Sequence, residues 1–156
     1  MAFLVLLIVA LIFGSTVTTE EVKNFRMCRN AKCSVFNVFI EPCPEALDNK
    51  PCEVPQGINA SISFQYISNF TTEIPITRLY ASTLLVDLPF MDMDTNACLY
   101  TQCPMVAQVE RSWLYNLYVS ENYPKSSYTV KLKFWDGEPE AKSDDECCFK
   151  FDMKIV

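Results

Sequence analysis

The residues best equipped for chemistry in this chain are eight cysteines: Cys28, Cys33, Cys43, Cys52, Cys98, Cys103, Cys147 and Cys148. There is no histidine to work beside them. That absence excludes Ser-His-Asp and Cys-His catalysis, histidine-ligated zinc and a histidine pH switch. No nucleophile–base pair is identifiable, so a secreted enzyme is the least expected reading, and no cofactor is expected. Clustered cysteines then leave two options, zinc or disulfides. Zinc needs reduced thiolates, typically in two Cys-x2-4-Cys knuckles, and only Cys28 with Cys33 and Cys98 with Cys103 come near.

The start of the chain decides between them. Phe3 to Phe13 (FLVLLIVALIF) is an unbroken apolar run followed by Gly14, Ser15 and Thr16. It suits the core of a signal peptide and is short of the roughly 20 residues of a membrane span. We expect a leader over residues 1–18, cleavage between 15 and 19, and a mature domain over 19–156. In an oxidising compartment the cysteines pair. Cys43 and Cys52 flank a Pro-rich turn, and Cys98 and Cys103 flank a four-residue loop, so each pair is expected to form a short staple. Cys28 and Cys33 are left with the adjacent Cys147 and Cys148, whose side chains point to opposite faces of a strand. Spacing leaves the remaining connectivity open. In the chain-entropy model a bridge closing about 120 residues stabilises by roughly 4–5 kcal/mol, and the short ones by nearer 3.

Charge narrows the partners. Thirteen Lys and Arg against 19 Asp and Glu give a net charge of −6, which argues against nucleic acid. Asp92, Asp94, Asp144, Asp145 and Glu146 have the oxygen chemistry calcium prefers, but lack the spaced carboxylates and glycine turn of an EF-hand. They read as solvated acidic loops, and no metal is expected. The sequons Asn59-Ala60-Ser61 and Asn69-Phe70-Thr71 are candidate glycosylation sites at Asn59 and Asn69.

The elements that must carry these residues are strands. Period-two alternation marks a half-buried strand, since successive side chains face opposite ways. Ser34 to Ile40 places Phe36, Val38 and Ile40 on one face, opposite Asn37. Ser61 to Tyr66 places Ile62, Phe64 and Tyr66 inward. Ile76 to Leu88 holds two strands or one bent strand. Trp113 to Ser120 groups Trp113, Tyr115, Leu117 and Val119. Tyr128 to Trp135 sets Tyr128, Val130, Leu132 and Phe134 opposite Lys131 and Lys133. Cys147 to Ile155 sets Phe149, Phe151, Met153 and Ile155 opposite Lys150, Asp152 and Lys154. With no repeat and no linker, the expected fold is one all-β domain, an antiparallel two-sheet sandwich. An immunoglobulin domain would need a tryptophan soon after its first core cysteine, whereas Trp113 and Trp135 both follow Cys98.

The segments VFIEPCPEALDNKPCEVPQG, VDLPFMDMDTNACLYTQCPM, VSENYP and CCFKFDMKIV together resemble the ML (lipid-recognition) family, and more closely its secreted sterol carriers of the Niemann–Pick type C kind. The resemblance runs from Cys28 to Val156. It implies an immunoglobulin-like sandwich whose sheets splay around an apolar tunnel for one lipid. By motif offset, the family's pocket-lining aromatic falls on Phe90, its pocket valine and tyrosine on Val119 and Tyr123, and its apolar residue before the first staple on Ile40. Phe64, Leu117 and Phe151, on inward strand faces, join them as candidate lining residues. Phe36, Val38 and Leu132 read as plain core. The resemblance also implies a Cys28–Cys148 bridge, with Cys33–Cys147 as an extra one beyond the commoner six-cysteine pattern.

The function implied is non-enzymatic carriage of a sterol, a fatty acid or another small hydrophobic molecule. The expected partners are that ligand and a transient membrane or receptor contact, with the protein itself a monomer. The expected location is secreted or extracellular, with the lysosome open to a glycosylated carrier. Two other readings are recognition of microbial lipids in innate immunity and semiochemical carriage in chemosensory fluid. Only Lys131 and Lys133, beside Lys125, approach the basic rim that the first of these would want.

Overall fold

The computed structural model describes residues 19–137 and 146–156, and the expected leader, with Asp144 and Asp145, lies outside them. Nine strands are described: β1 (Arg26–Met27), β2 (Cys33–Glu41), β3 (Cys52–Val54), β4 (Asn59–Ser68), β5 (Ile76–Ser82), β6 (Asp87–Pro89), β7 (Glu110–Tyr118), β8 (Ser127–Trp135) and β9 (Glu146–Ile155). They form two sheets, a three-stranded one in the order β2-β4-β7 and a six-stranded one in the order β1-β9-β8-β5-β6 with β3 also on β9. Every pairing is antiparallel except β3 with β9, which is parallel over Cys52–Val54. The free side of β9 is thus shared by two short strands, β1 beside its first half and β3 beside its last residues. A long edge open to other chains is avoided.

The alternation predicted for β4, β7, β8 and β9 is the alternation observed. Ile62, Phe64 and Tyr66 are buried, as are Trp113, Tyr115 and Val119, Val130 to Phe134 on alternate positions, and Phe149 and Phe151. Ile76 to Leu88 divides into β5 and β6, joined by a turn in which the Thr83 hydroxyl accepts the amides of Leu85 and Val86. In β2 the period breaks. Asn37 takes a left-handed φ of 51°, and the register with β4 shifts between Phe36 and Phe39. This bulge puts Val35, Val38 and Ile40 inside. Phe36 instead lies opposite the outward-facing Gln65, so its assignment to the core is corrected.

The centre of the sandwich is aromatic. Trp113 is stacked between Phe64, at 5.5 Å and 15°, and Phe134, at 5.2 Å and 19°. Phe149 meets Phe64 edge-on at 4.9 Å, and Tyr66 meets Phe134 at 4.8 Å. The buried Tyr66 hydroxyl is satisfied by Thr101 at 3.0 Å. Four disulfides staple this body: Cys28–Cys148, Cys33–Cys147, Cys43–Cys52 and Cys98–Cys103.

Candidate lipid-binding cavity

Beyond the aromatic centre, towards one end of the sandwich, the two sheets enclose an apolar cavity of about 180 Å³. One wall is the end of β7 and the residue after it, Leu117 and Val119. The other is the six-stranded sheet, with Leu79 to Ala81 on β5, Tyr128 and Val130 on β8, and Met153 and Ile155 on β9. Phe90, Tyr123 and Pro124 close the remaining side. The same strands that supply the aromatic core therefore supply the cavity, two to four residues further along. On β7 the change comes between Tyr115 and Leu117, and on β8 between Leu132 and Val130.

The loop bearing Tyr123 is held in place by its backbone. The Gln56 side-chain amide donates to the carbonyls of Tyr123 at 2.6 Å and Glu121 at 3.0 Å. Gly57, whose φ of +77° only glycine adopts easily, donates its amide to the Val119 carbonyl at 2.7 Å. Tyr123 in turn meets Phe90 edge-on, with ring centroids 5.4 Å apart. Both rings are half-buried, while Pro124 is exposed, which makes this side the rim.

The polar atoms of the rim are already engaged. The Tyr123 hydroxyl donates to the Asp92 carboxylate, and the Tyr128 hydroxyl to the Pro124 carbonyl at 2.7 Å. Burial first, then the hydrogen bond and negative charge of Asp92, push Tyr123 up to about 12. It therefore stays a neutral donor across the physiological range. Among the described residues no charged side chain lines the cavity. The arrangement is suited to holding an apolar molecule.

Four candidate residues, Phe90, Leu117, Val119 and Tyr123, come together around this cavity. Phe64 lies in the aromatic centre, and Phe151, also fully buried, lies beside Phe149 with ring centroids 6.0 Å apart. Ile40, buried opposite Ile62, borders a separate outer depression near Pro42 and Asn59. Sequence reasoning did not single out Leu79, Tyr80, Tyr128, Val130, Met153 or Ile155 for the pocket. Four of these sat on faces already read as inward, but nothing marked them as lining rather than core.

The other candidates have local roles. Asn59 and Asn69 are exposed, and Asn69 accepts from Gln108 at 3.0 Å. Asp94 accepts the Asn96 amide at 2.8 Å, and Glu146 pairs with Lys133 at 2.9 Å. Among the described residues no group of three or more Cys, Asp or Glu is placed to hold a metal.

Comparison with known proteins agrees with this architecture. A family model described as the ML domain matches residues 22–155. The chain is 36% identical to an "MD-2-related lipid-recognition protein" of Manduca sexta, over 99% of both chains. It is 26% identical to an "NPC intracellular cholesterol transporter 2" of Danio rerio, over 100% of this chain and 99% of that one. Its fold is that of a Niemann–Pick type C2 protein from the Japanese carpenter ant, at a TM-score of 0.71 and 18% identity, covering 85% of this chain and 98% of the other. With a matched region that takes in both sheets, all four disulfides and the whole cavity wall, this chain belongs to the ML-domain family.

Proposed function

We propose that this protein is a non-enzymatic lipid carrier, which shelters a sterol or a similarly compact apolar molecule between its sheets and releases it at a membrane or receptor. The observation that carries the reading is a cavity walled, among the described residues, by aliphatic and aromatic side chains with no charged one. Each Å² of apolar ligand surface removed from water contributes roughly 25 cal/mol, so about 300 Å² gives roughly 7–8 kcal/mol before ordering costs. That gross gain is compatible with micromolar or tighter binding, and no covalent step is needed.

At about 180 Å³ the cavity is smaller than the roughly 300 Å³ at which ligand pockets usually begin. Loading therefore requires the sheets to part or the floor to deepen. Phe151, opposite Val130 in the β8–β9 register, sits where that deepening would begin. The absence of a lining cation favours a sterol over a fatty acid, whose carboxylate would have to stay in the water at the rim. It equally disfavours a phosphorylated microbial lipid held by its head group inside the cavity. Similarity to a protein named for lipid recognition keeps that second reading in view, with an acyl chain inside and its head group outside.

Release is supported by the hairpin that rises from the cavity wall. Between Ala81 and Phe90, both at the cavity, the chain exposes Leu84, Leu85, Val86 and Leu88. An apolar tip next to a rim suits brief insertion into a lipid surface. The deciding experiment is lipid extraction and mass spectrometry of protein purified from its own source. A stoichiometric sterol, lost in a folded Phe90→Ala variant, establishes carrier and pocket together. A clean protein that also fails to take up labelled sterol or fatty acid rejects the reading.

A further inference from the structure

On the outer face of the six-stranded sheet, away from the lipid cavity, a groove of about 300 Å³ collects five cations and one carboxylate. In a chain of net charge −6 this is a local reversal. Strand register makes it sharper. Lys150 on β9 lies directly opposite Arg26 on β1 and directly opposite Lys131 on β8. Three cations thus form one row across three neighbouring strands, within about 10 Å at ordinary strand spacing. Like charges placed directly opposite destabilise a sheet, so stability alone gives no reason for the row.

Carboxylates offset only part of it. Arg26 pairs with Asp152 at 2.8 Å, Lys133 with Glu146 at 2.9 Å, and Lys131 with Asp87. Among the described residues Lys150, in the middle of the row, makes no direct ion pair, although the Asp87 carboxylate paired with Lys131 lies within electrostatic reach of it, and the exposed Arg29 nearby makes none. The groove between them is firm. Cys28 and Cys148, both lining it, are joined by a disulfide, and the Cys28 amide donates to the Cys148 carbonyl at 2.9 Å.

We propose that this groove binds a phosphate ester group, held between Lys150 and Arg29 and assisted by the neighbouring cations. Charge selects the class of ligand. The net charge of −6 disfavours an extended polyanion, whereas a single tetrahedral dianion fits inside the reversed patch and matches the donor fork of arginine. The phosphate is carried either by a free ester or by a lipid head group. The proposal does not depend on what fills the cavity.

The test is an amide chemical-shift titration of the full mature protein with inorganic phosphate and with glycerol 3-phosphate. It is run beside flotation with phosphatidylglycerol and phosphatidylcholine vesicles. An Arg29→Gln, Lys150→Gln double variant serves as the comparison, and its unchanged disulfides and lipid uptake show that it folds. Saturable shifts at Arg29 and Lys150, weakened at least tenfold in the variant, support a free ester as the source. Flotation with phosphatidylglycerol alone, lost in the variant without saturable shifts from the soluble esters, supports a head group. Linear shifts spread over the surface with no selective flotation overturn the proposal, as does binding that the double variant leaves intact.

Discussion

Phe64 and Phe90 are both aromatic and both point into the sandwich, yet they do different work. Phe64 is 2% exposed and packed against Trp113 and Phe149, while Phe90 sits half-buried on the rim against Tyr123. Removing the first leaves a hole in a close-packed core. Phe64→Ala is therefore expected to lose about 3–5 kcal/mol of stability, read by denaturant unfolding. Phe90→Ala is expected to lose less than Phe64→Ala, because part of its surface remains in water, and to weaken lipid uptake by at least tenfold. If both variants lose stability equally and bind equally, the rim has been misplaced. Sequence alone did not separate the two by position. Period-two alternation tells which face a residue occupies, but not how far along the strand the sheets begin to part. The motif offsets at Phe90, Val119 and Tyr123 carried that depth information. Nothing comparable marked Met153 or Ile155.

At the scale of elements, most strands could be read because each pairs one apolar face with one polar face. The exceptions have local causes. Phe36 was misplaced because an unheralded bulge at Asn37 flips the alternation halfway along β2, and β3 was missed because three residues are too few to show a period. The disulfides show how elements depend on one another. Cys28–Cys148 and Cys33–Cys147 span 120 and 114 residues, but once one is closed the other encloses only the short stretch between them. Removing either one by Cys→Ser replacement of both its cysteines is thus expected to cost about 2 kcal/mol, and removing both about 7. Equal and additive losses of about 5 for each would contradict this coupling. Acid should act on the same corner. The Asp152 carboxyl is held below the usual range, chiefly by the hydrogen bond from Arg26 that ties β1 to β9, and further by the Thr129 hydroxyl. A carboxyl depressed in the folded state contributes stability that is present above its unfolded value near 3.9 and lost as pH falls through the folded value. Asp152→Asn should accordingly flatten the acid limb of a stability profile below about pH 4 and lower stability at pH 7. An unchanged acid limb would remove this pair from the account.

Across the whole molecule, the charge pattern sets how a carrier approaches its target. The net charge of −6 opposes an anionic membrane, while the exposed apolar hairpin at Leu84 and Leu85 and the basic groove around Lys150 favour contact. Lowering the pH tips the balance in one direction. At pH 4.5 roughly a third of ordinary carboxylates carry a proton, whereas lysine and arginine keep their full charge. Proton uptake by carboxylates therefore reduces the net charge of −6, while Asp87, which burial alone would raise, is held below the usual carboxylate range by its hydrogen bonds from Lys131 and Ser82. Sterol transfer to phosphatidylglycerol vesicles should therefore accelerate severalfold between pH 7 and pH 4.5. The gain should be larger at low ionic strength, where charges are felt over a longer distance. Transfer to phosphatidylcholine vesicles, which present no net charge, serves as the control for any change in the cavity itself. An equal acceleration with both vesicle types would locate the acid effect at the rim, and a flat profile with both would mean that surface charge does not govern release.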